Sequence, residues 1–314
     1  MNLMLTNACN ERCSFCYAEQ FFATDREASR ADFELIKEHL AQYAKLVHAA
    51  QIPDWDADAP ELQRTLYSAK AINFLGGEPT LYPHFAELVE FIHGLGLGVL
   101  LFTNGAFPEK IHPIRKKLWT ITLNGHFAHR APNLNIDPMR IHANLPIIPG
   151  DDLLARLKVI RDAQIKTLYL AFATPAGQRP GHFFTPEDLE EMKRLHQLAV
   201  AFCAENGIFL AYDCSFPKCV DAHVAETMCS SVPVMNTQGE ISICGGDYYA
   251  QKGKRPLSDF ATLEDLHAFT FGRITVQRSE PSIFEICNGC EHFNVSCHGM
   301  CLKFRKTPET SEST

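Results

Sequence analysis

The chain has 314 residues, of which 46% are hydrophobic, and its formal net charge is −8 at pH 7. This length suits a large globular domain with a smaller one beside it, and the interspersed Lys and Arg residues form no basic stripe for nucleic acid. No apolar run approaches the roughly 20 residues that span a bilayer, and no apolar signal segment opens the chain, which predicts a cytoplasmic protein. In that compartment the 12 cysteines indicate metal ligands rather than disulfides.

A loop of three closely spaced cysteines follows a short predicted strand over residues 2–5. Cys9, Cys13 and Cys16 have three and then two residues between them. A 4Fe–4S cluster has four iron corners and usually takes four cysteines, so three thiolates leave one iron open for a substrate or cofactor. Zinc would need a fourth ligand nearby and a disulfide an oxidising compartment, and the spacing alone leaves both alternatives open.

A second motif follows a predicted buried strand over residues 71–75. The strand ends in Gly76-Gly77-Glu78-Pro79-Thr80, where two glycines allow the backbone to approach a ligand closely. The carboxylate of Glu78 can accept hydrogen bonds from an ammonium group. A simple turn at the end of the strand is the alternative.

Predicted helices and strands alternate along the rest of the first two thirds of the chain. In chain order they are a helix over residues 29–50, the strand over 71–75, a helix from Pro83 to about Gly94, a strand over 97–103, a helix over 108–118, a strand over 119–123, a helix over 151–163, a strand over 166–173, a helix over 185–206 and a strand over 208–213. Residues 126–150 are rich in Asn, Pro and His and are predicted to be irregular. Cys203, within a predicted helix, is predicted to be a buried small hydrophobe.

This alternation repeats about six times and predicts parallel strands with right-handed crossovers. A complete eight-unit barrel needs about 250 residues, so we predict an α/β fold, a partial (β/α)6 barrel with a small cysteine-rich C-terminal extension. The predicted boundaries are residues 1–213 for the barrel, 214–305 for the extension and 306–314 for a disordered tail. The cysteine loop then lies at the carboxyl end of a strand, where barrel-type folds carry their chemistry.

Two groups of cysteines occupy the C-terminal third. Cys229 and Cys244 enclose a predicted hairpin around Gln238-Gly239. The second group has spacings of two, six and three residues, between Cys287, Cys290, Cys297 and Cys301. A zinc ribbon on this second group is an alternative to an iron–sulfur site.

The cysteine loop and the Gly-Gly-Glu-Pro turn together resemble the radical S-adenosylmethionine (SAM) superfamily, in which an aromatic residue precedes the last cysteine, as Phe15 does here. The resemblance implies that the loop holds a 4Fe–4S cluster whose open iron binds SAM, and that Gly76, Gly77, Glu78 and Pro79 form the turn that binds the methionine amino group. It also implies reductive cleavage of SAM to a 5′-deoxyadenosyl radical, with an electron donor such as flavodoxin or ferredoxin. Ribose or carboxylate contacts would fall at the strand ends, on Thr103, Asn104, Thr122 and Asn124; capping of those ends is the alternative.

The C-terminal cysteines resemble the SPASM extension of this superfamily, which holds auxiliary 4Fe–4S clusters. The resemblance implies a first cluster on Cys219, Cys229, Cys244 and Cys301. It implies a second on Cys287, Cys290 and Cys297, with its last corner open or held by an aspartate, His298 or Cys214. The chain departs from the pattern because six residues rather than five separate the middle cysteines, and because no cysteine follows Cys301. A relative with one auxiliary cluster, on Cys229, Cys244, Cys287 and Cys290, is the alternative.

By this resemblance we predict an enzyme that oxidatively modifies a peptide or protein side chain, with an auxiliary cluster as acceptor of the second electron. Asp247, three residues after Cys244, is the first candidate for the base and Asp213 the second. A twitch-type dehydrogenase of a sugar or aminoglycoside is the alternative, and an iron–sulfur electron carrier is a third reading that the Gly-Gly-Glu-Pro turn disfavours. Because no peptide-recognition segment precedes Cys9, we expect any leader peptide to need a separate binding protein. We expect no nucleic-acid or membrane partner.

Overall fold

One sheet organises the part of the chain that the structure describes. The computed structural model describes residues 1–13, 15–16, 31–50, 52, 68–172, 186–213, 217–221, 232–242, 253–279, 285–293, 295 and 297. Its strands are β1 (Asn2–Met4), β2 (Ala71–Leu75), β3 (Gly98–Thr103), β4 (Leu118–Asn124), β5 (Ile141–Ile147), β6 (Thr167–Phe172), β7 (Phe209–Tyr212), β8 (Val234–Met235), β9 (Glu240–Ser242) and β10 (Arg255–Pro256). Its α-helices are α1 (Phe33–Ala49), α2 (Phe85–Gly94), α3 (Pro108–Ile111), α4 (Leu153–Asp162), α5 (Pro186–Asn206) and α6 (Leu263–Ser279).

The first seven strands lie side by side in chain order and pair in parallel. β8 pairs in parallel with the other edge of β1, and β9 and β10 continue the sheet by antiparallel pairing. Within the described residues β10 and β7 are the two ends of the strand order. The mostly parallel α/β architecture confirms the predicted fold class, a partial barrel. The predicted hairpin around Gln238-Gly239 is also confirmed, as β8 and β9.

The two faces of the sheet differ in polarity. On β5, Ile141, Ala143 and Leu145 are buried in the same apolar core as the helices, whereas His142 and Asn144 alternate with them and are half-buried. Pairing places Asn144 next to Asn124 of β4 and Tyr169 of β6. Successive residues of a strand point to opposite faces, so the face opposite the helices carries a polar row across these strands.

Two segments differ from the predicted elements. The predicted helix over residues 108–118 stops at Ile111 and continues as a 3₁₀ turn over His112–Ile114, because Pro113 has no N–H to donate to the carbonyl four residues before it and its ring clashes with that carbonyl. The segment 126–150, predicted to be irregular, holds a 3₁₀ segment over Gly125–Leu134 and strand β5. Pro146 within β5 obscured the alternation, since proline is rare inside a central strand.

α1 illustrates how the helices attach to the sheet. Asp32 caps its start by accepting a hydrogen bond from the Leu35 amide at 2.9 Å, as N-cap residues do. Its apolar stripe, which includes Ile36, Leu40 and Tyr43, is buried in the core. None of the helices in the described residues combines the length and apolar character needed to cross a membrane.

Candidate functional site

The cysteine loop is attached to the carboxyl end of β2 by backbone contacts. The amides of Gly77 and Glu78 donate to the carbonyls of Thr6 and Ala8 at 2.7 and 2.8 Å. A Cβ atom on Gly76 would lie 2.4 Å from the Thr6 carbonyl oxygen, and one on Gly77 would lie 2.1 Å from that of Ala8. Both glycines are therefore required by the close approach of the loop. The predicted contact of this turn with SAM stays a prediction.

The three thiols of the loop are close enough to interact electrostatically. Burial, followed by the negative charges of Cys16, Cys9 and Glu11, raises the pKa of Cys13 to about 12. The Cys16 amide donates to the Cys13 carbonyl at 3.0 Å, which closes the loop between these cysteines. A set of neighbouring anionic ligands needs a bound cation to be stable as thiolates. The donor set thus fits the three-cysteine side of a 4Fe–4S cluster.

The Glu78 carboxylate is buried, with 1% of the residue exposed. Its Oε1 accepts from the Thr80 amide at 3.1 Å, the Thr80 hydroxyl at 2.6 Å and the Thr103 hydroxyl at 2.7 Å. Its Oε2 accepts from the Asn104 amide at 2.8 Å. Burial raises the pKa of Glu78, and these hydrogen bonds oppose the rise. The side chain therefore joins the carboxyl ends of β2 and β3, while its predicted pairing with the SAM ammonium stays a prediction.

Three of the other predicted cofactor contacts make capping hydrogen bonds at strand ends. Thr103 Oγ1 accepts from the Gly105 amide at 3.0 Å, and Asn104 Oδ1 accepts from the Ala106 amide at 2.9 Å. Asn124 Oδ1 accepts from the His126 amide at 3.0 Å. Thr122 of β4 and Pro79, the first residue of a 3₁₀ turn, are buried. The capping alternative is thus present in the structure for three of these residues, and contacts with SAM stay predictions.

The sequence motifs missed a group of side chains that contacts the cysteine loop. Arg130 forms an ion pair with Glu11 at 2.8 Å, and Asn104 Nδ2 donates to Asn10 Oδ1 at 2.8 Å. The ring of His126 stacks on Phe15, with centroids 4.3 Å apart. Burial is the largest cause that lowers the pKa of His126 to about 4. No local pattern marks Arg130 and His126, because they follow a different strand from the loop that they contact.

A second polar group lies on the polar face of β5 and β6 and at the carboxyl end of β7. Asn144 Nδ2 donates to Asp213 Oδ2 at 2.7 Å, and the rings of His142 and Tyr169 are 5.6 Å apart. Burial, followed by the charge of Asp213, raises the pKa of Tyr169. Asp213, one of the two predicted bases, therefore lies at the edge of the sheet that carries the cysteine loop. Asp247, the other, lies outside the described residues.

Four C-terminal cysteines are electrostatic neighbours. Although Cys219 is exposed as a residue, desolvation of its thiol and then the charges of Cys297, Cys287 and Cys290 raise its pKa to about 11. Turns bring three of them together: the Cys290 amide donates to Cys287 and the Cys297 amide to His292. The family pattern joins Cys219 to Cys229, Cys244 and Cys301, and that ligand set stays a prediction. Those three cysteines lie outside the described residues, as do Cys214 and His298.

Within the described ranges, no three His, Cys, Asp or Glu side chains converge as the ligands of one metal ion would. A cubane places different demands on its ligands, because each thiolate binds a separate iron corner. Cys203 on α5 is 1% exposed, as predicted for a small core residue.

The family model described as the radical SAM superfamily matches residues 3–195. Among curated proteins, the chain is 25% identical over 164 residues to the S-adenosyl-L-methionine-dependent tRNA 4-demethylwyosine synthase of Pyrococcus abyssi, which covers 51% of this chain and 47% of that protein. It is 31% identical over 106 residues to the S-adenosylmethionine-dependent nucleotide dehydratase of Flammeovirga pacifica, covering 34% and 30%. The chain spans about half or less of the length of these relatives.

Among solved structures, the fold resembles that of Streptococcus suis SuiB bound to S-adenosylmethionine. The TM-score is 0.63 at 13% identity, and the match covers 98% of this chain and 76% of SuiB. SuiB bound to its precursor peptide SuiA gives a TM-score of 0.61 at 14% identity, with 96% and 71% covered. At these identities the likeness concerns the fold, and it extends beyond the matched family region into the C-terminal third.

Proposed function

The chain belongs to the radical SAM superfamily, and we propose that it reductively cleaves SAM to a 5′-deoxyadenosyl radical and oxidatively modifies a peptide or protein side chain. The observation that carries this proposal is the cysteine loop, with three interacting thiols attached to the Gly76-Gly77-Glu78 turn at the carboxyl end of the sheet. The fold likeness to SuiB, which has been solved with a precursor peptide, supports the peptide part.

Family membership implies a 4Fe–4S cluster and SAM, and these groups supply the electron and the radical when bound. The residues of the chain have other tasks. Cys9, Cys13 and Cys16 would hold the cluster, and the Gly76-Gly77-Glu78 turn would fix the loop that carries them. Asp213, oriented by the Asn144 amide at 2.7 Å, would take the proton that an oxidised substrate releases. The half-buried His142 and Tyr169 would line the space beside it.

The test of this activity measures 5′-deoxyadenosine in anaerobically reconstituted protein reduced with dithionite. Cys→Ala at Cys9, Cys13 or Cys16 should abolish formation of 5′-deoxyadenosine. Cys203→Ala should retain it, because Cys203 is a buried core residue on α5. Formation of 5′-deoxyadenosine by the triple variant would overturn the assignment of the cluster. Peptide pools and sugar pools can then be compared by mass spectrometry. Loss of two hydrogens from a sugar alone would favour the dehydrogenase.

We also propose an auxiliary 4Fe–4S cluster on Cys219, Cys287, Cys290 and Cys297. The charges of Cys297, Cys287 and Cys290 contribute to the raised pKa of Cys219, which supports the grouping, and four cysteines are the usual ligand set of such a cluster. Cys219 would take the last corner, which the family pattern fills with a cysteine further downstream, whereas this chain has no cysteine after Cys301.

The metal content of the Cys9, Cys13, Cys16 triple variant tests the auxiliary cluster. This protein should keep iron, and adding Cys219→Ala should remove about four irons per chain, the content of one cubane. Adding Cys214→Ala should not. Zinc in place of iron, or iron lost with Cys214 and kept without Cys219, would contradict the proposed ligand set.

A further inference from the structure

The 3₁₀ segment Gly125–Leu134 places two side chains against different halves of the cysteine loop. Arg130 contacts Glu11, which stands between Cys9 and Cys13. His126 stacks on Phe15, which stands between Cys13 and Cys16. The segment follows β4, whereas the loop follows β1, so these contacts join distant parts of the chain across the carboxyl edge of the sheet.

Arg130 is held in place by further contacts. Its Nη1 donates to the carbonyl oxygen of Asn104 at 3.0 Å and to the side-chain Oδ1 of Asn104 at 3.3 Å. Its guanidinium lies 4.3 Å from the ring centre of Phe127. Because Nη2 is at the same time 2.8 Å from Glu11, one planar side chain connects the end of β3 to the loop. A lysine offers a single ammonium and cannot reproduce this fork.

The charges of this group lie beside the cysteines. Glu11 stands two positions from both Cys9 and Cys13, so its carboxylate places a negative charge next to the ligating thiols. Arg130 pairs with that carboxylate, and the two side chains are only 24% and 26% exposed. Salt screens a partly buried pair less than an exposed one, so the neutralisation persists in physiological buffer.

We propose that Arg130 is a positioning residue for the SAM-binding cluster, which fixes the cysteine loop through Glu11 and Asn104 and neutralises Glu11 beside the ligating thiols. The proposal rests on the cluster that the proposed function also uses, but not on the substrate or on the auxiliary cluster.

Hydrogen exchange on the cluster-free protein tests the structural part. Arg130→Gln should speed exchange of the Gly77 and Glu78 amides, which bond to the loop, by about tenfold, which equals about 1.4 kcal/mol at 25 °C. Glu11→Gln should have a smaller effect in the same direction, because a neutral amide still accepts from Arg130. Arg161→Gln is the matched control, since Arg161 pairs with the exposed Asp162 on α4 and should leave both amides unchanged.

The electrostatic part is tested on the reconstituted cluster. Arg130→Gln should lower the reduction potential and Glu11→Gln should raise it, because net charge near a cluster sets its potential. The double variant should have a reduction potential close to that of the parent protein. Arg130→Lys keeps the charge but not the fork, so its potential should lie closer to the parent value than its amide exchange rates do. Loss of iron to a chelator should be about tenfold faster in Arg130→Gln, the same factor as for exchange of the Gly77 and Glu78 amides.

Two results would overturn the proposal. One is that Arg130→Gln matches Arg161→Gln in exchange and in iron loss. The other is that the effects of Arg130→Gln and Glu11→Gln on the potential share one sign. If Arg130→Gln fails to fold, Glu11→Gln and Arg130→Lys decide the matter by the same measurements. If the variants show the expected exchange but the parent protein forms no 5′-deoxyadenosine, the proposed function is refuted and this inference is supported.

Discussion

At the scale of single residues, Glu78 has two hydrogen-bonding tasks that an amide cannot both perform. The Thr80 amide donates to Oε1 and the Asn104 amide to Oε2. Glutamine has one oxygen, so Glu78→Gln leaves one of these buried N–H groups without an acceptor whichever way the amide is turned. We expect a loss of about 1–3 kcal/mol in the free energy of unfolding, measured by urea denaturation of the cluster-free protein.

The control for this prediction is Thr80→Val, which removes the hydroxyl that donates to Oε1 but keeps the backbone donor. Thr80→Val should lower the free energy of unfolding less than Glu78→Gln does. Calorimetry of the reconstituted protein tests the SAM contact separately, and there Glu78→Gln should weaken binding. A variant of parent stability with weakened SAM binding would show that the carboxylate serves the ligand alone.

A second prediction at this scale concerns Gly77. A Cβ there would lie 2.1 Å from the Ala8 carbonyl oxygen, and the neighbour is backbone that cannot rotate away. Gly77→Ala should therefore displace the cysteine loop, lower the free energy of unfolding by about 3 kcal/mol or more and reduce the iron bound on reconstitution. Gly94→Ala is the control, since nothing lies within 4 Å of a Cβ at that helical position. Equal iron content and stability in the two variants would contradict the steric argument.

At the scale of elements, strands and helices with one apolar face could be predicted from the sequence, and elements whose partners are distant could not. The predicted helix 185–206 and strand 71–75 agree with α5 and β2 within one residue. Strand β5 was not predicted, because its polar residues belong to the polar row on the face opposite the helices and because a proline lies within it. The hairpin of β8 and β9 was predicted, but not its pairing with β1, since no local signal selects a partner strand.

The same limit applies to the site. The cysteine loop and the Gly76-Gly77-Glu78 turn are short motifs whose residues are adjacent in the chain, so their spacing could be interpreted directly. Arg130 lies 119 positions from Glu11, and Asn144 lies 69 positions from Asp213. Each pair is brought together by the parallel order of the strands, and neither residue type is unusual enough to mark a site by itself.

The pairing of β8 with β1 leads to a prediction about the boundary at residue 213. Val234 and Met235 are fully buried and pair with Asn2 and Leu3. A chain of residues 1–213 would expose this edge and its apolar surroundings, and exposed strand edges promote aggregation. We expect it to be insoluble or to lack a cooperative thermal transition, while a chain of residues 1–305 should melt like the full chain. A soluble, cooperatively folded 1–213 would establish an independent domain there.

At the scale of the whole molecule, the C-terminal helix α6 shares one core with the barrel, because Leu263 and Leu266 belong to the same apolar cluster as β2 to β6. His267 lies beside them and is 1% exposed, and neither of its ring nitrogens has a hydrogen-bond partner among the described residues. Desolvation, followed by the charge of the Met1 amino group, lowers its pKa to about 4. The folded protein thus holds this ring neutral beside the core that α6 shares with the sheet.

This arrangement predicts that the core around His267 loses stability in acid. An unfolded histidine titrates near pH 6.5, so protons bind the unfolded chain first as the pH falls. The contribution of His267 to stability is complete above about pH 6.5, declines as the pH falls towards 4 and changes little below that, for a total of at most about 3 kcal/mol. Urea unfolding of reduced, cluster-free protein at several pH values should show a steeper decline for the parent than for His267→Leu. His93→Leu, at an exposed position on α2, should follow the parent, whereas parallel curves for the parent and His267→Leu would mean that the buried ring does not control the acid stability of this shared core.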